Sequence, residues 1–371
     1  MNAQRYVPFF NYPNVYTSQR QDFLNIFNDV CERGAFIMQS DLADFEKNLS
    51  SYAGSKYSVG VANATDGLQM LLMAAGVSDG DEVIISSHTM VATASAIHFA
   101  GGVPIPVDAG SDHLIDCNKI EAAITDKTKA ILPTQLNGRI SDMDEIQVIA
   151  DKYGLMVFED AAQALGAKYK GRSAGNFGIG GCISFYPAKV LGCFGDAGAI
   201  LCNDDEIYKK LLLLRDHGRD DLNDVVVWGL NSRLDNLQAA FLDFSLKGFD
   251  DVVKRRREMA SIYDSRLKCL SGIVLPPAPE INANNFDIYQ NYEIESDDRD
   301  SLQKFLTDSG IGTLIQWGGS AVHHFKKLGF TQDLEYTDKL FERMLMIPMN
   351  MSLSDDDINY VCDKIIEFAE Q

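Results

Sequence analysis

The sequence contains no run of the ~20 continuous apolar residues that a membrane-crossing helix needs, so no such helix is expected. Its first residues, MNAQRYVPFFNYPNVY, lack a basic start followed by a long apolar stretch, and no secretory leader is expected. There is no C-x-x-C pair. The 7 cysteines, at 31, 117, 182, 193, 202, 269 and 362, are odd in number and scattered. That spacing argues against a disulfide framework or a cysteine-bound metal and fits reduced thiols in the cytoplasm. Basic residues are scarce, with 33 Lys and Arg against 53 Asp and Glu, for a net charge of -20. A field of that sign repels phosphodiester backbones and anionic bilayers, so neither nucleic acid nor a membrane is an expected partner. A small anion stays compatible, because a few amides and one or two basic side chains can override a diffuse field. Internal repeats and low-complexity tracts are absent as well.

What remains is an ordinary globular composition, 46% apolar and 23% charged, in 371 residues. That length suggests two domains. Residues 19–50 read as helical with a break near Gly34 and a new start at Ser40-Asp41. Short apolar strands then alternate with helical stretches. Strands are expected at Tyr57–Val61, Glu82–Ser86, Val103–Val107, Ala130–Pro133 and Leu155–Phe158. Helices are expected at Leu68–Ala75, Val91–Ala100, Cys117–Ile124 and Met143–Tyr153. This rhythm predicts an α/β fold with a mostly parallel sheet covered on both faces. Two more strands, Gly181–Phe185 and Gly198–Cys202, follow in a glycine-rich stretch, and the chain ends in a helix over 354–369. The division is placed at 1–247 and 248–371, with the helix near the boundary able to bridge the lobes. The charged run Lys254–Glu258 is expected to be a solvated helix face.

Three segments can carry chemistry. In YSVGVANATDG, a strand enters a helix whose first amides lack intrahelical partners, and Thr65 adds a hydroxyl. Such a helix start attracts an anion, although a plain N-cap by Asn63 or Thr65 explains it equally well. The apolar strand LMVF delivers Asp160 to the sheet edge where ligands bind in open parallel sheets, or else Asp160 caps the next turn. Lys189 lies in a glycine- and proline-punctuated loop among Ala188, Val190 and Leu191. Desolvation there would lower its pKa and free a nucleophilic amine. An anion site, a carboxylate and a desolvated lysine are together the requirements of pyridoxal phosphate (PLP).

These residues stand in motifs that run through the chain: KYSVGVANATDG (56–67), GDE (80–82), EDAAQALG (159–166), SFYPAK (184–189), DHGR (216–219), NSRLDNLQAA (231–240), GIGT (310–313) and IPMNM (347–351). With them the chain resembles the DegT-type (DegT/DnrJ/EryC/StrS) sugar aminotransferases, a branch of the fold type I PLP enzymes. The resemblance implies a large mixed sheet between helices and a smaller C-terminal α+β domain. It implies that Lys189 joins the cofactor as a Schiff base and that Asp160 pairs with the ring nitrogen. It gives Gln163 to the phenolic oxygen, with Met90 covering the ring. Thr65, the amides of Ala64 and Asp66, and Ser184 would bind the phosphate. Asn231 would reach that phosphate from the neighbouring subunit of a homodimer with shared active sites. Arg233 becomes a candidate for the donor's carboxylate, and His88, Tyr186, Trp317 and His323 for the substrate pocket. The family's usual glycine before the phosphate threonine is Ala64 here, its usual ring-stacking aromatic is Met90, and His88 stands where asparagine is common. The stretch from Gln316 to His324 lacks the usual His-x-Pro pattern, so His323 and His324 either line an unusual acceptor site or form a surface pair.

The activity implied is transfer of an amino group from glutamate to a keto-sugar. The run LGCFGDAG (191–198) resembles the L-G-x-x-G-D-G-G of members acting on nucleotide-linked 3-keto hexoses, including 6-deoxy sugars of surface-polysaccharide or amino-sugar biosynthesis. A dehydratase of the same fold is an alternative, but such members carry histidine at the position of Lys189. A non-catalytic ligand-sensing protein is another, and the intact lysine, aspartate and phosphate site argue against it.

Overall fold

The computed structural model describes residues 5–280 and 283–371. Strands β1 (Tyr57–Val61), β2 (Glu82–Ser86), β3 (Val103–Val107), β4 (Thr128–Leu132), β5 (Met156–Asp160), β6 (Gly180–Ser184) and β7 (Gly198–Cys202) form one 7-stranded sheet. Its order is β1-β7-β6-β5-β4-β2-β3. The strands from β6 to β3 are parallel, and β7 runs antiparallel to both β1 and β6. The side-chain alternation of a strand divides the core. Ile84 packs into one apolar cluster with Phe45, Ile131 and Phe185, while its neighbours Val83 and Ile85 join another with Leu68, Leu132 and Phe158. Burial on both faces is why these strands read as continuous apolar runs.

Helices α1 (Ser40–Ala53), α2 (Ala64–Ala74), α3 (Val91–Phe99), α4 (Met143–Tyr153), α5 (Asp205–Arg215) and α6 (Asn236–Leu246) accompany this sheet. The expected break at Gly34 is present as a left-handed helix cap with φ of 61°. The expected helix at 117–124 is α-helical only over Cys117–Ile120 and tightens into a 3-10 turn over Glu121–Ala123. Helix α2 starts at Ala64, before the expected Leu68, so the polar turn itself is the first helical turn.

The long helix α7 (Phe249–Leu267) passes between the lobes. Phe249 and Val253 belong to the first core, whereas Met259, Tyr263 and Leu267 belong to a third cluster. That cluster lies under a small antiparallel sheet of β8 (Ile273–Val274), β9 (Tyr292–Ser296) and β10 (Met344–Ile347), with α8 (Arg299–Asp308) and α9 (Asp355–Ala369). The N-terminal segment joins this lobe: Val7 donates to Gly310 O at 2.8 Å and accepts from Gly312 N at 2.9 Å.

The charged run Lys254–Glu258 is not the solvated face expected. Lys254 and Glu258 are exposed, but Arg256 lies on the buried stripe of α7 with Val253, Met259 and Ala260. Its Nε donates to Tyr289 O at 2.7 Å and its Nη2 to Gln290 O at 2.6 Å. Arg257 likewise donates to Asp287 O and Pro279 O. The carbonyls of a non-repetitive segment need donors, and the helix supplies them as guanidinium groups. Burial lowers the Arg256 pKa to about 10, still far above neutral, so the group stays charged. Arg256→Leu keeps the volume but leaves two buried carbonyls without donors. We expect it to destabilise the protein by about 3 kcal/mol in urea unfolding.

Candidate active site

A cavity of about 390 Å³ lies beyond the C-terminal ends of β2, β4, β5 and β6. Its wall brings together Ala64, Thr65, Met90, Asp160, Gln163, Ser184, Tyr186 and Lys189, from four separate stretches of sequence, and Trp317 from a fifth. Parallel strands deliver their ends to one edge, which is why residues so far apart in sequence converge here.

Lys189 follows β6 in a tight loop, its own amide donating to Tyr186 O at 2.8 Å. The residue is half-buried as a whole, but its amine is enclosed by protein. Desolvation pulls the amine down to about 8, against the opposing attraction of Asp160. The loop is held on both sides of Lys189 by one side chain: Gln290 donates from Nε2 to Ala188 O and accepts at Oε1 from Val190 N, both at 2.8 Å.

Asp160 is buried at the end of β5. Its Oδ2 accepts from Thr93 Oγ1 at 2.6 Å and its Oδ1 from Ala162 N at 3.1 Å. Thr93 is joined in turn to Thr89 at 2.8 Å, and Thr89 to Thr134 at 2.7 Å. Burial raises the Asp160 pKa, and the hydroxyl, the amide and the Lys189 charge offset only part of that cost. A carboxylate so placed stabilises a cationic group beside it. Asp160 thus forms a short turn with Ala162 and also faces the cavity.

At the start of α2, Asn63 is the cap: its Oδ1 accepts from Asp66 N at 2.9 Å. The Asp66 amide is therefore already engaged, and Asp66 does not line the cavity. The amides of Ala64 and Thr65 precede any intrahelical acceptor and stay available to an anion, with the Thr65 hydroxyl. Gly198 lies directly behind this turn, where a Cβ would come within 2.7 Å of Ala64 N. Gln163 accepts at Oε1 from Asn137 N at 2.8 Å, and among the described residues its Nε2 has no hydrogen-bond acceptor.

Not every expected residue reaches the cavity. His88 is buried behind Trp317, ring centroids 5.3 Å apart, with Nδ1 donating to His113 O at 3.0 Å. Desolvation lowers its pKa. His323 is neither at the cavity wall nor at the surface. Its backbone N donates to Ser87 Oγ at 3.1 Å, so the hydroxyl proton goes to Nδ1 at 2.7 Å and Nε2 donates to Asp338 at 3.0 Å. His324 accepts at Nδ1 from Ala321 N at 3.1 Å and donates from Nε2 to the same Asp338 oxygen at 2.6 Å. The His323–His324–Asp338 cluster has metal-like composition. Yet this wiring presents N–H groups where a metal needs lone pairs, and the cluster ties the 321–324 turn to Ser87 and to 338. Arg233 pairs with Asp216 of its own chain at 3.1 Å, and Asn231 is exposed, away from this cavity.

The wall also contains Phe10, Gln290, Asn291 and Gln316. Sequence reasoning singled out the stretch around Gln316 but not Phe10, Gln290 or Asn291. Phe10 arrives through the pairing of Val7 with Ile311 across the whole chain, which no local pattern signals.

The model of the DegT/DnrJ/EryC1/StrS aminotransferase family matches residues 17–366. The chain belongs to this family. An aminotransferase of Pseudomonas aeruginosa, named for UDP-2-acetamido-2-deoxy-3-oxo-D-glucuronate, is 38% identical over 334 residues, covering 90% of this chain and 92% of its own. The structure of DesV from S. venezuelae superposes with a TM-score of 0.94 at 34% identity, covering 99% of each chain. NtdA from Bacillus subtilis, solved with bound cofactor PMP, gives 0.88 at 30% identity over 99% of this chain and 86% of its own. The large, mostly parallel sheet between helices is therefore the aminotransferase fold.

A lysine amine at about 8 is neutral above that pH and protonated below it. Only the neutral form attacks a carbonyl. The rate at which the apoprotein captures PLP, followed by absorbance, should rise with pH through a midpoint near 8 rather than near the ordinary lysine value of about 10.4. Lys189→Ala should show no capture at any pH while keeping its circular dichroism.

Proposed function

We propose that this chain is a PLP-dependent aminotransferase that moves an amino group from glutamate to a nucleotide-linked 3-keto-6-deoxyhexose, in amino-sugar or surface-polysaccharide biosynthesis. The observation that carries the reading is one cavity holding a desolvated amine, Lys189, and a buried carboxylate, Asp160. The residues fit the cofactor. Lys189 would hold its aldehyde carbon, Asp160 its ring nitrogen, Gln163 its phenolic oxygen, and Thr65, Ser184 and the amides of Ala64 and Thr65 its phosphate. Bound PLP supplies a carbonyl to which amines add and a ring that accepts electrons.

The protein's own work follows from its groups. With a pKa near 8, Lys189 Nζ can both take and return a proton near neutral pH. Asp160, kept anionic by Thr93 and the Ala162 amide once a cation faces it, holds a proton on its partner nitrogen. Tyr186, Met90 and Trp317 supply apolar wall that excludes water and orients the acceptor. The run Leu191–Gly198, which puts Asp196 on the cavity wall, resembles that of members acting on 3-keto sugars, and this supports a C3 keto acceptor. In this reading residues 1–247 are the cofactor domain and 248–371 the smaller one, and the protein works in the cytoplasm. Among the described residues no helix is long and apolar enough to cross a membrane.

The test is to supply PLP, glutamate and either 3-keto or 4-keto nucleotide hexoses. The 3-keto compound should be aminated and the 4-keto compound should not; amination of the 4-keto sugar alone refutes the C3 assignment. Asp160→Asn should retain PLP yet lower kcat by about 100-fold or more, because an amide cannot hold the nitrogen protonated. A near-normal kcat would reduce Asp160 to a turn-former.

The active unit in this reading is a homodimer. Asn231 is exposed and does not line its own cavity, and a few residues before it Leu222, Val225 and Val226 expose apolar side chains. A second copy would cover them and receive Asn231 at its phosphate site. Sedimentation should give a dimer with an interface on the order of 2,000 Å² or more. Asn231→Ala should dimerise normally but bind PLP at least tenfold more weakly, as measured by equilibrium dialysis.

A further inference from the structure

Asn137 occupies an unusual position for a side chain: φ is 54° and ψ is 16°. It sits in the loop after β4, beside the cavity, and is followed by Gly138 with φ of 85°. A Cβ on Gly138 would come within 2.6 Å of Ile288 and 2.8 Å of Gln290 N, so the second lobe presses directly on this turn. Asparagine tolerates the left-handed region because its short amide forms compensating hydrogen bonds.

Those hydrogen bonds reach four residues of the cavity wall. The Asn137 amide donates to Gln163 Oε1 at 2.8 Å, which fixes the Gln163 side chain with its Nε2 free. The Asn137 carbonyl accepts from Gln290 N at 2.9 Å. The side-chain Oδ1 accepts two amides, from Asn291 Nδ2 at 2.8 Å and from Gln316 Nε2 at 2.6 Å. Gln316 is 2% exposed, and its Oε1 has no hydrogen-bond partner. Trp317, next along, is itself left-handed with φ of 48°. One Asn137 oxygen therefore holds both the Gln316–Trp317 turn and Asn291 in place.

Resting on the aminotransferase reading, we propose that Asn137 is a positioning residue that sets the acceptor-sugar wall, and that Gln316, oriented by it, recognises a hydroxyl or amide N–H donor on that sugar. The division of labour is within the residue itself. Its backbone serves the cofactor side through Gln163, and its side chain serves the sugar side through Gln316 and Asn291. Deleting the side chain while preserving the backbone should then affect the acceptor and spare the cofactor.

Asn137→Gly retains the left-handed backbone and both main-chain hydrogen bonds but removes Oδ1. Asn137→Asp retains an acceptor oxygen for both amides. The chain has 2 tryptophans, and Trp228 is 95% exposed, so in the unaltered chain a change of emission on substitution at Asn137 reports Trp317. With that holoenzyme as parent we expect Asn137→Gly to shift Trp317 emission to the red and to weaken binding of a UDP-linked 3-amino hexose at least tenfold. The absorbance spectrum of bound PLP should be unchanged. With a UDP-linked 3-keto hexose, KM should rise tenfold or more while kcat at saturation falls less than threefold. Asn137→Asp should restore Kd and emission to within threefold and a few nanometres of the parent. The proposal is overturned if Asn137→Gly leaves Kd and emission unchanged, or if Asn137→Asp is as impaired as glycine. Should the glycine variant not fold, Gln316→Met must reproduce the tenfold loss, and parent-like binding there overturns the proposal too. If the parent itself neither binds the amino sugar nor aminates the keto-sugar, the aminotransferase reading fails. The emission comparison still decides whether Asn137 holds the Trp317 turn.

Discussion

The site depends on one side chain of the smaller lobe gripping the loop that carries the lysine. Gln290 spans Lys189, accepting from the amide after it and donating to the carbonyl before it. Gln290 is in turn fixed from behind, because Arg256 of α7 donates to its carbonyl and to that of Tyr289. The lysine loop contains Pro187 and Gly192 and has no ladder of its own. Without this bracket its backbone groups would have to find water, and the amine would lose the enclosure that lowers its pKa. The buried arginine, odd in a helix, thus makes sense as the foundation of the nucleophile's position.

The two ionisable groups of the cavity are shifted in opposite senses by the same cause. Burial disfavours charge, which pushes the lysine down and the aspartate up. Their mutual attraction works against both shifts, and among the described residues no other charge shifts either group. Such a pair, poised between neutral and ionic forms, is what a site needs if it must move protons at neutral pH. The threonine relay from Thr134 through Thr89 to Thr93 supplies Asp160 with a hydroxyl donor and no formal charge. That leaves Lys189 as the one charge set against the carboxylate, which stays available to a cationic ligand.

The sheet was legible in the sequence because strands buried on both faces are short apolar runs with glycine or polar punctuation. Tyr57–Val61, Glu82–Ser86 and Gly198–Cys202 stand where the pattern puts them. The helix α2 start lies four residues before the expected one because its first turn is polar, and polarity there reflects an N-terminus capped by Asn63 rather than a loop. Lys254–Glu258 misled for the opposite reason: charge density signals solvent only when the residue on the buried stripe is not needed by unpaired carbonyls. Thr65, Asp160, Ser184 and Lys189 were findable because each ends a strand or comes soon after one. Phe10, Gln290 and Asn291 were not, since they reach the wall through contacts between lobes. His88 and His323 were drawn to the pocket by their place beside cofactor-facing segments, and their rings turn inward to hydrogen-bond His113 O, Ser87 and Asp338 instead.

Charge sets a final constraint on how this cavity can work. Among the described residues that line it, Lys189 is the one cationic side chain, against the carboxylates of Asp160 and Asp196. The whole chain carries -20. A phosphate can be met at the α2 N-terminus by amides, hydroxyls and the helix dipole. A further anionic group, such as a donor's carboxylate or a sugar-linked diphosphate, finds no second cation in this wall. Arg233 is taken by Asp216, Arg256 by backbone carbonyls, and Arg139 by Asp287. A cavity that takes such ligands must meet that charge with amides, hydroxyls and the helix dipole, or with cations from beyond the residues that line it. Under the proposed dimer, Arg219, exposed in the segment that also carries Asn231, would lend such a charge to a second copy.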